Sequence, residues 1–192
     1  FTAILLLSSI NAFAQKGEAI LTCENDVYRL ISPAYTFKLE DDFDIRIAKF
    51  VSEGYEQLFL WACSGENELH TFPYGGKMLF KFSNNEVMEL TATMLDYDYD
   101  GKKMKHIQPI AYYAISNEQL NKLFSGIVKF RVELLSMDKD DIIFQDFQDL
   151  EIKKDKLSIG IKKCWEAILK AEEKYANQAE KATKHVDASD GF

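Results

Sequence analysis

Proline and glycine are scarce, at 3 and 9 of 192 residues, so neither a collagen-like nor a low-complexity, disordered chain fits. Basic charge is also in deficit: 23 Lys and Arg stand against 31 Asp and Glu, a net charge of -8 that disfavours nucleic acid or an anionic membrane as partner. There is no G-x-S-x-G nucleophile elbow, no H-E-x-x-H metal motif and no complete phosphate loop, Tyr74-Gly75-Gly76-Lys77 being only a turn. Cysteine is limited to Cys23, Cys63 and Cys164, with no C-x-x-C spacing, which leaves no zinc site or thioredoxin-like chemistry. Cys23 and Cys63 both close strand-like runs and could pair across a sheet; three buried thiols are the alternative.

What is present starts with an uncharged apolar run, Ala3 to Ile10, followed by Ala12-Phe13-Ala14 and then Gln15. A small-x-small triplet after such a run is the pattern of a signal peptide cleaved after Ala14. With no Met or basic residue before the run, it is expected to be a signal peptide cut short at its N-terminus. It is too short to span a bilayer, which takes about 20 apolar residues. The chain that follows is therefore expected to be periplasmic or extracellular, and not membrane-spanning after cleavage. Residues 1–14 carry no charge, so their removal leaves the net charge at -8.

The remainder is long enough for one domain with a sizeable core. From Glu18 to Ile115 strands are expected. Phe43, Ile45 and Ile47 alternate with Asp44 and Arg46, the period of a half-buried strand. Gln57 to Cys63 is more continuously apolar and suits a central strand, while Ser83-Asn84-Asn85 between two strand-like runs marks a hairpin. At Ser116 the period changes. Ser116 and Gln119 form a capping box for a short helix over 117–124, which Gly126 closes. Two more strands follow, from Ile127 and over 142–152. Leu157, Ile161, Cys164, Trp165, Ile168 and Tyr175 then make the apolar stripe of an amphipathic helix near 157–182. The predicted class is α+β, dominated by an antiparallel sheet that is sandwich-like or strongly twisted, as a single domain over 15–182 with a disordered tail over 183–192.

Few constellations carry chemistry. Asp96, Asp98 and Asp100, followed by Gly101, match the first half of a calcium loop, but its twelfth position is Ile107 instead of a bidentate Glu. A two-residue hairpin turn at Asp100-Gly101 explains the same residues, setting Tyr99 opposite Lys102, Asp98 opposite Lys103 and Tyr97 opposite Met104. Carboxylates cluster at Glu40, Asp41, Asp42 and Asp44 and at Asp138, Asp140 and Asp141, both in expected turns. A Cys63 and His70 dyad would need a spatial convergence that spacing does not show. Aromatic residues are the stronger signal for binding: Trp61, Tyr74, Tyr97 and Tyr99 are the candidate contacts, with Phe72, Tyr112 and Tyr113 nearby and at least half of these seven expected in the core.

The run ISNEQLNKLFSGIVKFRVELL and the Lys-Asp-Lys-Leu entry to the long helix, within residues 115–169, resemble small secreted proteins of unassigned function from Gram-negative anaerobes. The resemblance implies a β-rich domain closed by a C-terminal helix and transfers no site. The sequence thus points to a non-catalytic binding domain of the cell envelope, with an envelope protein, peptide or glycan as partner and no cofactor. A hydrolase of envelope or dietary polymers is the alternative, requiring two carboxylates or a Cys-His pair in one cleft.

Overall fold

The computed structural model describes residues 18–24, 26–39, 42–64, 70–99, 107–137 and 143–189. Its strands are β1 (Ile20–Glu24), β2 (Val27–Ile31), β3 (Tyr35–Lys38), β4 (Asp42–Ser52), β5 (Tyr55–Ser64), β6 (His70–Thr71), β7 (Lys77–Phe82), β8 (Val87–Tyr99) and β9 (Ile107–Ile115). Helix α1 (Asn117–Lys122) precedes β10 (Ile127–Met137) and β11 (Ile143–Glu151), and α2 (Lys156–Ser189) ends the chain. All pairings are antiparallel, in the order β1-β2-β4-β5-β9-β8-β7-β10-β11, with β3 continuing the β2 side of β4 and β6 pairing β10. The fold is α+β and β-dominated, an open antiparallel sheet with two helices.

Sequence alternation builds the inner face. Phe43, Ile45 and Ile47 of β4 face Phe80 of β7 and Phe130 and Val132 of β10 in one core. The sheet curls until its halves meet: the Phe130 ring lies 5.4 Å from Phe37 and from Phe80, and 5.7 Å from Phe43. Long β8 makes the curl possible, because its first half pairs β7 and its second half pairs β9, with a register shift between Ala92 and Met94. Such a bulge bends a strand and raises its twist. A second shift between Ile127 and Lys129 in β10 turns both Ile127 and Phe130 inward, three residues apart, where strict alternation would separate them.

Helix α1 has the expected capping box: Gln119 N donates to Ser116 Oγ at 3.1 Å, and Ser116 N donates to Gln119 Oε1 at 2.8 Å. Its C-cap is Leu123, in the right-handed region, so Gly126 is not the helix terminator. The φ of +76° at Gly126 instead serves the turn into β10. Leu157, Ile161, Cys164 and Ile168 of α2 are buried against β2, β3 and β4, with Trp165 and Tyr175 half-buried beside them. The helix runs on to Ser189, where a disordered tail was expected from residue 183. No Gly or Pro interrupts the helix between Gly160 and Gly191, so no helix-breaking residue ends it at 182.

The pairing of Tyr99 with Ile107 and of Asp98 with Gln108 corrects the two-residue turn at Asp100-Gly101. Paired outward from these residues, Tyr97 meets Pro109 and not Met104. Local charge pairing lost to the placement of Ile110, Ala111 and Tyr113 in the sheet, since sliding β9 by five residues would remove three buried side chains from apolar surroundings. The proposed Cys23 and Cys63 disulfide is also corrected. Cys23 is exposed on β1 and Cys63 is buried on β5, both as free thiols, with β2 and β4 between them. Three strand spacings of about 4.8 Å exceed the span of a disulfide.

Candidate functional site

The four aromatic candidates do not converge. Trp61 is buried on the outer face of β5, the face turned away from the α2 side. Tyr97 is 47% exposed near the far end of β8, and alternation from Met94, which pairs Tyr112, puts it on the opposite face from Trp61. Tyr74 is 80% exposed in the turn between β6 and β7. The Tyr99 side chain, like those of Asp98, Asp100 and His70, lies outside the described residues. Phe72, Tyr112 and Tyr113 are buried with Trp61, so four of the seven aromatics serve the interior.

The calcium half-motif lies partly on a strand: β8 continues through Tyr99, and Asp96 uses Oδ1 to accept from the Tyr97 amide at 2.8 Å. Among the described residues no three His, Cys, Asp or Glu side chains gather as a metal site. Two glutamates, Glu18 and Glu166, do share a cleft beside α2, but Lys163, Lys170 and Lys174 line it too, and Glu18 is ion-paired with Lys174 at 3.0 Å.

The arrangement that can bind is one that sequence reasoning missed. Following the pairing order from β3 through β4, β5, β9, β8, β7 and β10 to β11 gives an antiparallel sheet curled like a barrel but not closed. Among the described residues β3 pairs only with β4, and β11 only with β10. Between these two edges runs a groove of about 250 Å³ lined by Tyr35, Phe37, Leu150, Ile152 and Leu157, with Lys38, Glu151, Lys153 and Lys156 at its rim. Its floor is apolar and half-buried, apart from fully buried Leu157.

The edge of β11 has defined chemistry. Ile152 N donates to Val128 O at 2.8 Å, so in an antiparallel ladder the amides of residues 150, 148, 146 and 144 also point toward β10. Those of Ile143, Gln145, Phe147, Asp149 and Glu151 then point toward the open seam. The Phe147 amide is occupied by its neighbour, Asp146 Oδ1 accepting from it at 2.8 Å, while Asp146 Oδ2 accepts from Ser136 at 3.2 Å. A covered amide in mid-strand blunts an edge that would otherwise template aggregation.

Side chains of β11 are tied to β10. Arg131 holds Asp149 through two hydrogen bonds, Nε to Oδ1 at 2.5 Å and an NH2 to Oδ2 at 2.8 Å, and Lys129 adds an ion pair at 3.1 Å. The Arg131 hydrogen bonds, helped by Lys129, hold the Asp149 carboxyl down to about 2. The lower wall is set by the turn into α2, where Lys154 and Asp155 both adopt φ of +56°. Asp155 anchors that turn by accepting from Gly126 N at 3.0 Å.

No protein-family model matches the chain, and no curated protein matches it. Among solved structures, the invasion associated protein B of Bartonella henselae aligns with a TM-score of 0.36 and 8% identity, covering 83% of this chain and 97% of that one.

Proposed function

We propose that the protein is a secreted or periplasmic, non-catalytic binding domain of the cell envelope, delivered by a signal peptide cleaved after Ala14, that takes an extended peptide segment of a partner protein along the seam between β3 and β11. The observation that carries this reading is the juxtaposition of two strand edges that have no second pairing partner among the described residues, with an apolar groove between them. An extended peptide added to a sheet edge gains main-chain hydrogen bonds, and pockets for alternate side chains supply selectivity. The rim points to the peptide's charge. Lys38, Lys153 and Lys156 outnumber Glu151 there, on a chain whose net charge is -8. An apolar peptide with acidic flanks is the matching ligand. No described helix is long and apolar enough to cross a membrane.

A peptide array on the protein tests this, with a glycan array as comparison. Binding of acidic, apolar peptides is expected, and Lys153→Glu and Lys156→Glu should each weaken it about two- to fivefold without lowering Tm, the scale of an exposed ion pair. Binding that ignores both charge reversals would refute the seam as the site, and a glycan-only response would refute the peptide.

A further inference from the structure

Resting on the functional reading above, we infer that the seam takes its peptide in one direction and one register: antiparallel to β11, with acidic residues at the peptide's N-terminal end, apolar side chains facing Ile152 and Leu150, and no acidic side chain facing Glu151. The path from β3 to β11 contains an odd number of antiparallel steps, so the two edges run antiparallel to each other. One added strand can therefore be antiparallel to only one of them. Strand β11, with 9 residues against 4 in β3, offers the longer edge, and an antiparallel ladder is slightly more stable per residue than a parallel one.

The usable stretch of β11 is short. On its N-terminal side the Phe147 amide already donates to Asp146 Oδ1 at 2.8 Å, and on its C-terminal side Lys154 turns the chain away with a φ of +56°. Between these limits Asp149 and Glu151 direct both N–H and C=O toward the seam, because Ile152 N is committed to Val128 O on the other side. The peptide therefore exchanges a pair of main-chain hydrogen bonds with Asp149 and another with Glu151, while its intervening residue faces Leu150.

Alternation then sets the side chains. Leu150 lies opposite buried Phe130 and Asp149 opposite Arg131, so Leu150 and Ile152 face inward, with Tyr35, Phe37 and Leu157 across the groove. Peptide residues facing Leu150 and Ile152 enter this apolar floor. Those facing Asp149 and Glu151 stand on the outer side beside carboxylates, and the two carboxylates differ. Asp149 is held by Arg131 at 2.8 Å and by Lys129 at 3.1 Å, whereas Glu151 has Lys129 at 3.2 Å and a side chain 72% exposed. Like charges directly opposite each other are destabilising, so Glu151 is the stronger filter, rejecting an acidic residue and favouring Lys or Arg. Attraction for acid sits at one end. Lys153 and Lys156 follow β11 directly, and among the described residues no ion pair engages either; Lys38 is held by Asp42 at 3.2 Å. In an antiparallel pair the C-terminal end of β11 meets the N-terminal end of the peptide.

Fluorescence anisotropy of the full chain with dye-labelled peptides tests this, the reference being Asp-Glu-Ile-Lys-Val-Thr-Ser, whose Ile, Lys, Val and Thr would face Ile152, Glu151, Leu150 and Asp149. The same residues in reverse order should bind about fivefold more weakly, having lost the acidic end at Lys153 and Lys156. Replacing the peptide Lys by Glu should weaken binding about two- to fivefold, and Glu151→Lys in the protein should reverse that preference. N-methylation of the peptide Lys or Thr, whose amides point at β11, should cost about tenfold, the scale of a lost hydrogen bond, while N-methylation of its Val, whose amide points away, should be tolerated. The methylation series needs no change in the protein, so it decides the register even if Glu151→Lys does not fold. Equal binding of the two orders, or sensitivity at Val in place of Lys and Thr, overturns the proposal, and binding that still responds to Lys153→Glu then leaves the functional reading standing. Absence of binding by every peptide removes both.

Discussion

The ring of Tyr35 occupies the space in which a side chain on Gly160 would stand. A Cβ built on Gly160 would meet Tyr35 Cγ at 2.4 Å and both Cδ atoms at 2.5 Å. The first turn of α2 thus lies directly on β3, and Tyr35 is fixed as a wall of the seam.

Gly160→Ala should therefore cost about 1 to 3 kcal/mol by overpacking, even though alanine gains up to about 1 kcal/mol in helix propensity. Peptide binding at the seam should fall with it. Combining the change with Tyr35→Ala should recover stability relative to the sum of the two single variants. Urea denaturation of all four proteins measures this, and strict additivity would show that the close approach has no energetic weight.

The turn into α2 carries two non-glycine residues with positive φ, and they should respond oppositely. Lys154 is exposed, at φ of +56°, so Lys154→Gly relieves backbone crowding and should stabilise by about 0.5 to 1 kcal/mol. Asp155→Gly relieves the same crowding but removes the acceptor for Gly126 N, and should destabilise by about 1 kcal/mol. Thermal unfolding of both variants gives the signs; a gain in each would mean that the Asp155 bond contributes nothing.

Asp149 gives a pH dependence of fixed sign. Its folded value is near 2, set first by the Arg131 hydrogen bonds, against about 3.9 in an unfolded chain. A depressed carboxyl stabilises the fold above the unfolded value and loses that contribution as pH falls from about 4 toward 2. Because the side chain is 34% exposed, solvent screening limits the contribution to about 1 kcal/mol or less. The stability gap between the protein and Asp149→Asn should be present at pH 7 and close toward pH 2; a gap independent of pH would contradict the assignment.

Elements whose signal is local were legible in the sequence. Ser116 and Gln119 announced α1 because a capping box is written within four residues. The strand of Phe43, Ile45 and Ile47 and the stripe of Leu157, Ile161, Cys164 and Ile168 followed from periods of 2 and 3.6. The phase of β10 was not legible past Ile127, because a bulge changes which residues face inward without changing which are apolar. Nor was the β8 to β9 register, where the charges of Asp96 and Asp98 favoured a near pairing and burial of Ile110, Ala111 and Tyr113 decided for a farther one.

The candidate site shows the same division. Trp61 drew notice as an aromatic beside a turn, yet it belongs to a buried face, and nothing in its neighbours along the chain distinguishes the two sides of a strand that is apolar on both. Phe37 and Leu150 are more than a hundred positions apart and meet only because the sheet curls.

By itself the sequence determined the acidic balance, the uncharged N-terminal run, the positions of most strands and the helix that follows them. These depend on composition and on periodicity over a few residues. Only the tertiary structure decided that β3 and β11 face each other without pairing to one another, that Gly160 yields its space to Tyr35 and that Phe50, Phe59, Trp61 and Tyr112 form one buried cluster. Those relations depend on which distant strands pair, and pairing is selected by the sum of burial over the whole sheet, a quantity no local run of residues contains.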